Sequence, residues 1–239
     1  MSPDYEHWAR NADDWIAWAR TPDHDAFWAY RAQLLDFIGT GKGNALEVGC
    51  GEGRVSRAIK ECGYRVTAAD PVEAFVVAAR EAKSADDYRI APVTSLPFED
   101  HSFDLVVAYN VLMDVDDVPA ATKEIARVLR PSGTLMVSVV HPFVDRGRFA
   151  SAEPEAPFVL ERSYFGRERF EAVEESGGLR MHFAGWSHPL ESYVEALESV
   201  GLAINSLREP KPDEKWPQAK QWSRVPLFLW LKARQRITI

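Results

Sequence analysis

Short apolar runs alternate with stretches of helical periodicity through the middle of the chain. Runs at 45–48, 65–69, 105–109 and 134–140 are rich in Val, Ala and Leu and end at Gly, Asp, Asn or His. They read as strands buried on both faces. A weaker run at 88–90 has the same form. Between them, 55–62, 72–83 and 119–129 space their apolar residues three and four apart, which predicts helices with one face on a core. Arg130-Pro131-Ser132-Gly133 breaks the last of these before the next strand. Strands separated by helices of this length predict a parallel sheet with right-handed crossovers.

The flanks differ. Tyr5, Trp8, Trp15, Trp18, Phe27, Trp28, Tyr30 and Phe37 crowd the first 38 residues. Their spacing predicts two helices with wide apolar faces. Thr21 is placed to cap the second and Pro22 to open it. These helices are expected to cover the sheet or to form a lid over a ligand mouth. Beyond the fifth strand, 142–157 is proline-rich and reads as loop. Strands are expected at 158–165, 169–173 and 179–186, with Ser176-Gly177-Gly178 turning the last two into an antiparallel insert. A helix at 190–200 stops at Gly201, and strands at 203–207 and 226–232 close the chain.

Composition narrows the partners. The 239 residues carry 28 Lys and Arg against 36 Asp and Glu, a net charge of −8, which opposes a nucleic-acid backbone as the main partner. No apolar run has the length of a membrane span, and no charged-then-apolar leader opens the chain, so a cytoplasmic protein is expected. Cys50 and Cys62 are too few for a disulfide framework.

Candidate chemistry begins at Glu47-Val-Gly-Cys-Gly-Glu-Gly53, where the first strand runs into Gly49, Gly51 and Gly53. Glycines let backbone approach a ligand closely, and the following helix offers free N–H groups. Asp70, at the end of the second strand, is placed to accept hydrogen bonds from ribose hydroxyls. A dinucleotide site would read G-x-G-x-x-G, but its third slot holds Arg54. Four further segments follow in order. They are Ala69-Asp70-Pro71; Leu96-Pro97-Phe98-Glu99-Asp100 with Ser102-Phe103-Asp104; Tyr109-Asn110-Val111-Leu112; and Arg127-Val-Leu-Arg-Pro-Ser-Gly133.

With these five features the chain resembles the class I S-adenosylmethionine-dependent methyltransferases of the UbiE-like, type 11 group, strongly over 40–145 and loosely elsewhere. The resemblance implies an α/β, Rossmann-like, doubly wound and mostly parallel seven-stranded sheet in one domain, 1–239. Its parts are a helical lid at 1–38, a cofactor core at 39–141, a substrate-side hairpin insert at 142–188 and a C-terminal helix with strands at 189–239. It implies S-adenosyl-L-methionine as cofactor, held by Glu47, Gly49, Cys50, Gly51, Gly53, Asp70, Pro71, Thr94, Ser95, Leu96 and Asn110. One departure stands out. The family often places an acidic residue four positions before the leucine of Leu-Pro-Phe, to meet the adenine amino group. Here that position is Pro92.

The implied reaction is transfer of a methyl group to O or N of a small metabolite. The alternatives are methylation of a peptide or protein N-terminus, an NAD(P)-dependent oxidoreductase and a non-catalytic cofactor-binding protein. The acceptor mouth should lie at the C-terminal strand ends. His141, after the fifth strand, is the first candidate base by position, with His188 on the insert and Tyr109 after the fourth strand as further candidates. Cys50 reads as a packing residue of the loop. Asp114, Asp116 and Asp117 read as a solvated loop and helix start rather than a metal site. Arg10, Arg20 and Arg54 are candidate partners for a carboxylate. No metal is expected.

Overall fold

The computed structural model describes residues 3–21 and 24–236. Helices α1 (Pro3–Arg10), α2 (Ala12–Arg20) and α3 (Phe27–Ile38) precede β1 (Asn44–Val48). The core continues as α4 (Arg54–Glu61), β2 (Arg65–Asp70), α5 (Glu73–Glu81), β3 (Asp87–Ile90), β4 (Phe103–Tyr109), α6 (Val118–Val128) and β5 (Leu129–Val140). Two small hairpins follow, β6 (Gly147–Phe149) with β7 (Phe158–Leu160) and β8 (Glu168–Ser176) with β9 (Leu179–Ser187). The chain ends with α7 (Leu190–Ser199), β10 (Leu202–Arg208), α8 (Ala219–Trp222) and β11 (Phe228–Gln235).

The sheet has seven strands in the order β10-β11-β5-β4-β1-β2-β3. Strands β3, β2, β1, β4 and β5 are parallel, and β11 runs antiparallel to both β5 and β10. The order reverses between β1 and β4, so a crevice opens at their C-terminal ends, the switch point where ligands of such sheets sit. Alternation along each strand feeds two cores. Ala45, Leu105, Val107 and Tyr109 pack with Phe27, Tyr30, Leu34 and Ile59 on one face. Leu46, Val106 and Ala108 pack with Ile125, Val128, Tyr193 and Leu197 on the other.

Three local expectations change. Thr21 is the C-cap of α2, its N–H bonded to the Trp18 carbonyl and its hydroxyl to that of Ala17, rather than the N-cap of the next helix. Pro22 and Asp23 lie outside the described residues. The next helix begins only at Phe27, whose N–H donates to Asp25 at 2.7 Å. Within the expected loop at 142–157, three residues form β6, and its partner β7 stops at Leu160, short of 165. The Gly177-Gly178 turn forms as expected, with φ of 54° and 82° at its two glycines.

The hairpin β8–β9 and the N-terminal helices form one roof. Asp4 on α1 accepts hydrogen bonds from Arg169 at 2.5 Å and Trp186 at 3.0 Å. Phe183 on β9 meets Trp15 and Trp18 of α2 edge to face. No helix among the described residues is long and apolar enough to cross a membrane.

Candidate functional site

The three loop glycines have different jobs. All have positive φ, 65°, 52° and 90° for Gly49, Gly51 and Gly53. A Cβ on Gly49 would overlap Val111, and one on Gly53 would overlap Ser84, so both are packing constraints. A Cβ on Gly51 would meet only the Trp15 indole, 3.1 Å away at Nε1. Gly51 is therefore the glycine that faces the crevice, with Trp15 of the roof above it.

Asp70 shapes the other side of this cradle. Its carboxylate accepts the Gly51 N–H and the Val72 N–H, each at 2.9 Å. Each oxygen keeps a lone pair for a further donor. Burial raises its pKa to about 6, against the lowering effect of the Val72 and Gly51 N–H groups. Pro71 carries the chain between these two contacts. Glu47, 1% exposed, accepts the Ser56 hydroxyl. Burial raises its pKa to about 8 although Ser56 and Arg54 oppose the rise. Cys50 is buried and its thiol is pushed up by desolvation, which fits a packing role and not a thiolate nucleophile.

Beyond β3 the backbone is partly committed. The Leu96 N–H donates to Glu124 at 2.8 Å and the Ser95 N–H to the Pro92 carbonyl at 3.0 Å. Half-buried Thr94 has no hydroxyl hydrogen bond among the described residues. Asn110 follows β4 with φ 55°, and its side-chain oxygen accepts the Ser138 hydroxyl at 2.8 Å. Its amide nitrogen keeps both donors.

Two of the three arginines singled out in the sequence, Arg20 and Arg54, are occupied. Arg54 pairs with Asp25 at 3.1 Å, both mostly buried, and its guanidinium lies over Trp15 at 4.6 Å and Phe27 at 5.2 Å. It ties α4 to α2 and α3. Arg20 holds buried Glu52 together with Arg57. Arg10 lines a recess of about 510 Å³ between α1 and β8–β9, with His7 and His182, that does not reach the glycine loop.

The candidate bases sit in unequal surroundings. His141 follows β5 as expected, but its Nδ1 accepts the Phe143 N–H at 3.2 Å and its Nε2 lies 3.1 Å from Glu209. Neither ring nitrogen is left free. Burial lowers its pKa, with Glu209 acting against that. His188 is 7% exposed, and its buried Nε2 has no partner. Desolvation, then Arg167 and Arg146, push it down to about 4, so it is neutral near neutral pH. The Tyr109 hydroxyl is also buried without a partner, and burial raises its pKa.

The acidic trio divides. Asp117 caps α6 by accepting the Ala120 N–H at 2.9 Å, as a helix start requires. Asp116 accepts the Trp186 indole N–H at 3.1 Å. Asp114 is half-buried rather than fully solvated. It turns inward against Gly185 of β9, and burial followed by the charges of Asp4, Asp145 and Asp70 raises its pKa well above normal. Among the described residues, no three His, Cys, Asp or Glu side chains are grouped as metal ligands would be.

Known proteins share this frame. A family model described as a methyltransferase domain matches residues 46–137, the stretch from β1 to β5. The malonyl-[acyl-carrier protein] O-methyltransferase of Enterobacter lignolyticus is 30% identical over 173 residues, 69% of this chain and 66% of that one. A Xanthomonas oryzae ubiquinone biosynthesis O-methyltransferase is 35% identical over 117 residues, 47% of this chain and 48% of that one. Residues 46–137 match the methyltransferase domain, and the chain is similar to S-adenosylmethionine-dependent methyltransferases. An S-adenosylmethionine-dependent methyltransferase structure from Mesorhizobium loti superposes with a TM-score of 0.67 at 24% identity, covering 88% of this chain and 98% of that one. At that identity the likeness establishes the fold. The chain spans 36–66% of the length of the curated relatives it matches.

Within this methyltransferase fold, the glycine loop, Asp70 and Asn110 converge on one crevice, while Glu47 stands behind the loop on Ser56. His141 stands apart on Glu209. Trp15, beside Gly51, is a residue of the site that its sequence context did not place there. Trp15 was visible as one of many aromatics. Asp114 was visible as one of three neighbouring acids. Nothing local marked either as inward-facing.

Proposed function

We propose that the chain transfers a methyl group from S-adenosylmethionine to O or N of a small-molecule acceptor. The observation that carries this reading is the cradle of Gly51 and Asp70 at the β1–β4 switch point. Gly51 opens toward the crevice, and the Asp70 oxygens retain lone pairs suited to a ribose diol. The residues therefore fit the family's cofactor. When bound, S-adenosylmethionine supplies an activated methyl on a sulfonium. Asp70 accepts the ribose hydroxyls. Gly49, Cys50, Gly51 and Gly53 would bring backbone close to the cofactor beside Glu47, and the Asn110 amide would be a donor to its methionine carboxylate. Pro71 and Leu96 would wall the adenine. With Pro92 in the acidic slot, Thr94 and Ser95 supply its polar contacts through their hydroxyls.

The chain's own contribution is orientation and exclusion of water. Trp15 lies over Gly51 and packs with Phe183, which also meets Trp18, and this supports a roof that would cover bound ligand. Holding acceptor and donor in line is worth about 7–11 kcal/mol of barrier. Tyr109 Oη and His188 Nε2 are buried without partners, which supports them as neutral hydrogen-bonding groups to the acceptor. His141, tied to Glu209, positions the turn after β5. The likeness to malonyl-[acyl-carrier protein] and ubiquinone biosynthesis O-methyltransferases supports a small-molecule acceptor. A cytoplasmic location agrees with two free, buried cysteines.

The test is a transfer assay with methyl-labelled S-adenosylmethionine and a low-mass bacterial metabolite fraction. Label in a small product, with stoichiometric S-adenosylhomocysteine, supports the reading. Label recovered only in peptide, or none under conditions where the cofactor binds, contradicts it.

A further inference from the structure

Trp15 brings an uncommitted donor to the glycine loop. Its indole is half-buried on α2. On the open side of Gly51, the atoms within 4 Å of where a Cβ would stand are Trp15 Nε1 at 3.1 Å and Trp15 Cδ1 at 3.9 Å, apart from the loop's own neighbouring residues. The nitrogen edge of the indole therefore leads toward the loop. Its N–H has no acceptor among the described residues. The Gly51 N–H beside it is already given to Asp70 at 2.9 Å. At this point of the crevice the free donor comes from the roof and not from the loop.

The ring is held on several sides. The Arg54 guanidinium stands 4.6 Å from its centroid and is itself fixed by Asp25 at 3.1 Å. Trp8 and Phe183 meet it edge to face at 5.7 and 6.0 Å. It also packs against the buried cluster of Ala12, Val72 and Phe75. Val72 gives its N–H to Asp70, so the packing that seats the indole also seats the Asp70 turn. Other tryptophans dispose of their N–H groups differently. Those of Trp28, Trp186 and Trp222 go to protein acceptors. Those of Trp8 and Trp230 are sealed in the interior. The Trp15 N–H is neither spent nor sealed.

We propose that the Trp15 indole N–H is a hydrogen-bond donor to the carboxylate at the amino-acid end of the cofactor, supplied by the roof across from the glycine loop. The proposal rests on the methyltransferase reading and adds a residue to its site. An indole nitrogen donates and never accepts, so it has nothing to offer a sulfonium or an ammonium. The ribose hydroxyls have Asp70, whose oxygens keep lone pairs for them. Adenine belongs on the far side of the crevice, against Pro71 and Leu96. The carboxylate is the acceptor that remains, and a hydrogen bond to an ionised acceptor is about twice as strong as a neutral one. The first turn of α4, which has no side-chain cap, adds positive potential beside the same loop. Because Phe183 of β9 rests on Trp15, a ligand bonded to the indole also steadies the hairpin side of the roof.

The test compares two ligands on two proteins by calorimetry. S-adenosylhomocysteine carries the amino-acid end, and methylthioadenosine has the same adenine, ribose and sulfur without it. Trp15→Phe keeps an aromatic ring under Arg54 and removes the N–H. In this variant, shown folded by its melting curve, S-adenosylhomocysteine affinity should fall at least about tenfold while methylthioadenosine affinity stays within about twofold. A second measurement uses the parent protein alone. The Trp15 indole proton resonance should move downfield when S-adenosylhomocysteine is added and hold its place with methylthioadenosine. An equal loss for both ligands in Trp15→Phe overturns the proposal, because the indole would then act through packing. Tighter binding of S-adenosylhomocysteine by the variant also overturns it, because Trp15 would then obstruct the loop. So does an indole resonance that responds alike to the two ligands. A parent protein that binds neither ligand sinks the methyltransferase reading and this proposal with it, whereas a parent that binds S-adenosylhomocysteine and a variant that binds it equally well sink the proposal alone.

Discussion

Replacing Gly51 by alanine should damage cofactor binding far more than it damages the fold. Gly51 has φ 52°, within the left-handed region, where an L side chain costs about 1–2 kcal/mol. The added Cβ lies 3.1 Å from Trp15 Nε1, a side chain on the roof that can give by a few tenths of an ångström. The expected loss of stability is therefore about 1–2 kcal/mol, or a fall in Tm of about 2–8 °C for a chain of this size. The methyl group, however, stands in the crevice where ligand must approach backbone. S-adenosylhomocysteine affinity should fall at least about tenfold, roughly 1.4 kcal/mol or more. Gly53→Ala is the contrasting variant. Its Cβ would overlap Ser84 and lie 3.1 Å from Ala79 Cβ at φ 90°, so it should fail to fold stably. Calorimetry and melting curves on the two variants separate ligand space from packing. A Gly51→Ala protein that binds S-adenosylhomocysteine as tightly as the parent would refute the assignment of Gly51 to the ligand face.

Other variants probe the surroundings. Glu47, raised from 4.5 to about 8 by burial, binds more protons folded than unfolded, so its contribution to stability falls as pH rises across that window. Glu47→Gln keeps an acceptor for Ser56 and should gain on the parent from acid to neutral pH, by at most about 3 kcal/mol; parallel urea-stability curves against pH would show that the carboxyl ionises freely. Asp25→Ala leaves the Arg54 cation buried under Trp15 and Phe27 without its partner, and should cost about 3–5 kcal/mol, largely recovered in an Asp25→Ala, Arg54→Leu double variant. An unrecovered loss would mean that the pair acts through packing alone. His141→Ala removes an acceptor for the Phe143 N–H and a contact to Glu209, and should cost about 1–2 kcal/mol of stability with turnover lowered less than about tenfold. A loss of several orders of magnitude in kcat at unchanged KM would instead make His141 the base.

The parallel core was legible because each strand is a short apolar run with its own stop, and each helix repeats its apolar face. The glycine loop was legible because three positive-φ positions leave almost no residue but glycine. What escaped reading depended on distant contacts. Asp114, Asp116 and Asp117 differ little in local context, yet one caps a helix, one meets Trp186 and one turns inward beside Gly185, about seventy residues on. Thr21 carries a capping residue's chemistry but spends it on the helix behind it. Strand β6 is three residues long, too short to show alternation, and exists through its pairing with β7. His141 was correctly placed after β5, but its partner Glu209 comes from a loop beyond β10, which no spacing foretold.

The central claim is that the crevice at the β1–β4 switch point holds S-adenosylmethionine. It is tested most directly by titrating the purified protein with S-adenosylhomocysteine, with NADH as the control and Asp70→Ala as the site variant. The account predicts micromolar binding of S-adenosylhomocysteine, none of NADH, and loss of the signal in Asp70→Ala. Binding of NADH alone, or S-adenosylhomocysteine affinity untouched by Asp70→Ala, would contradict it.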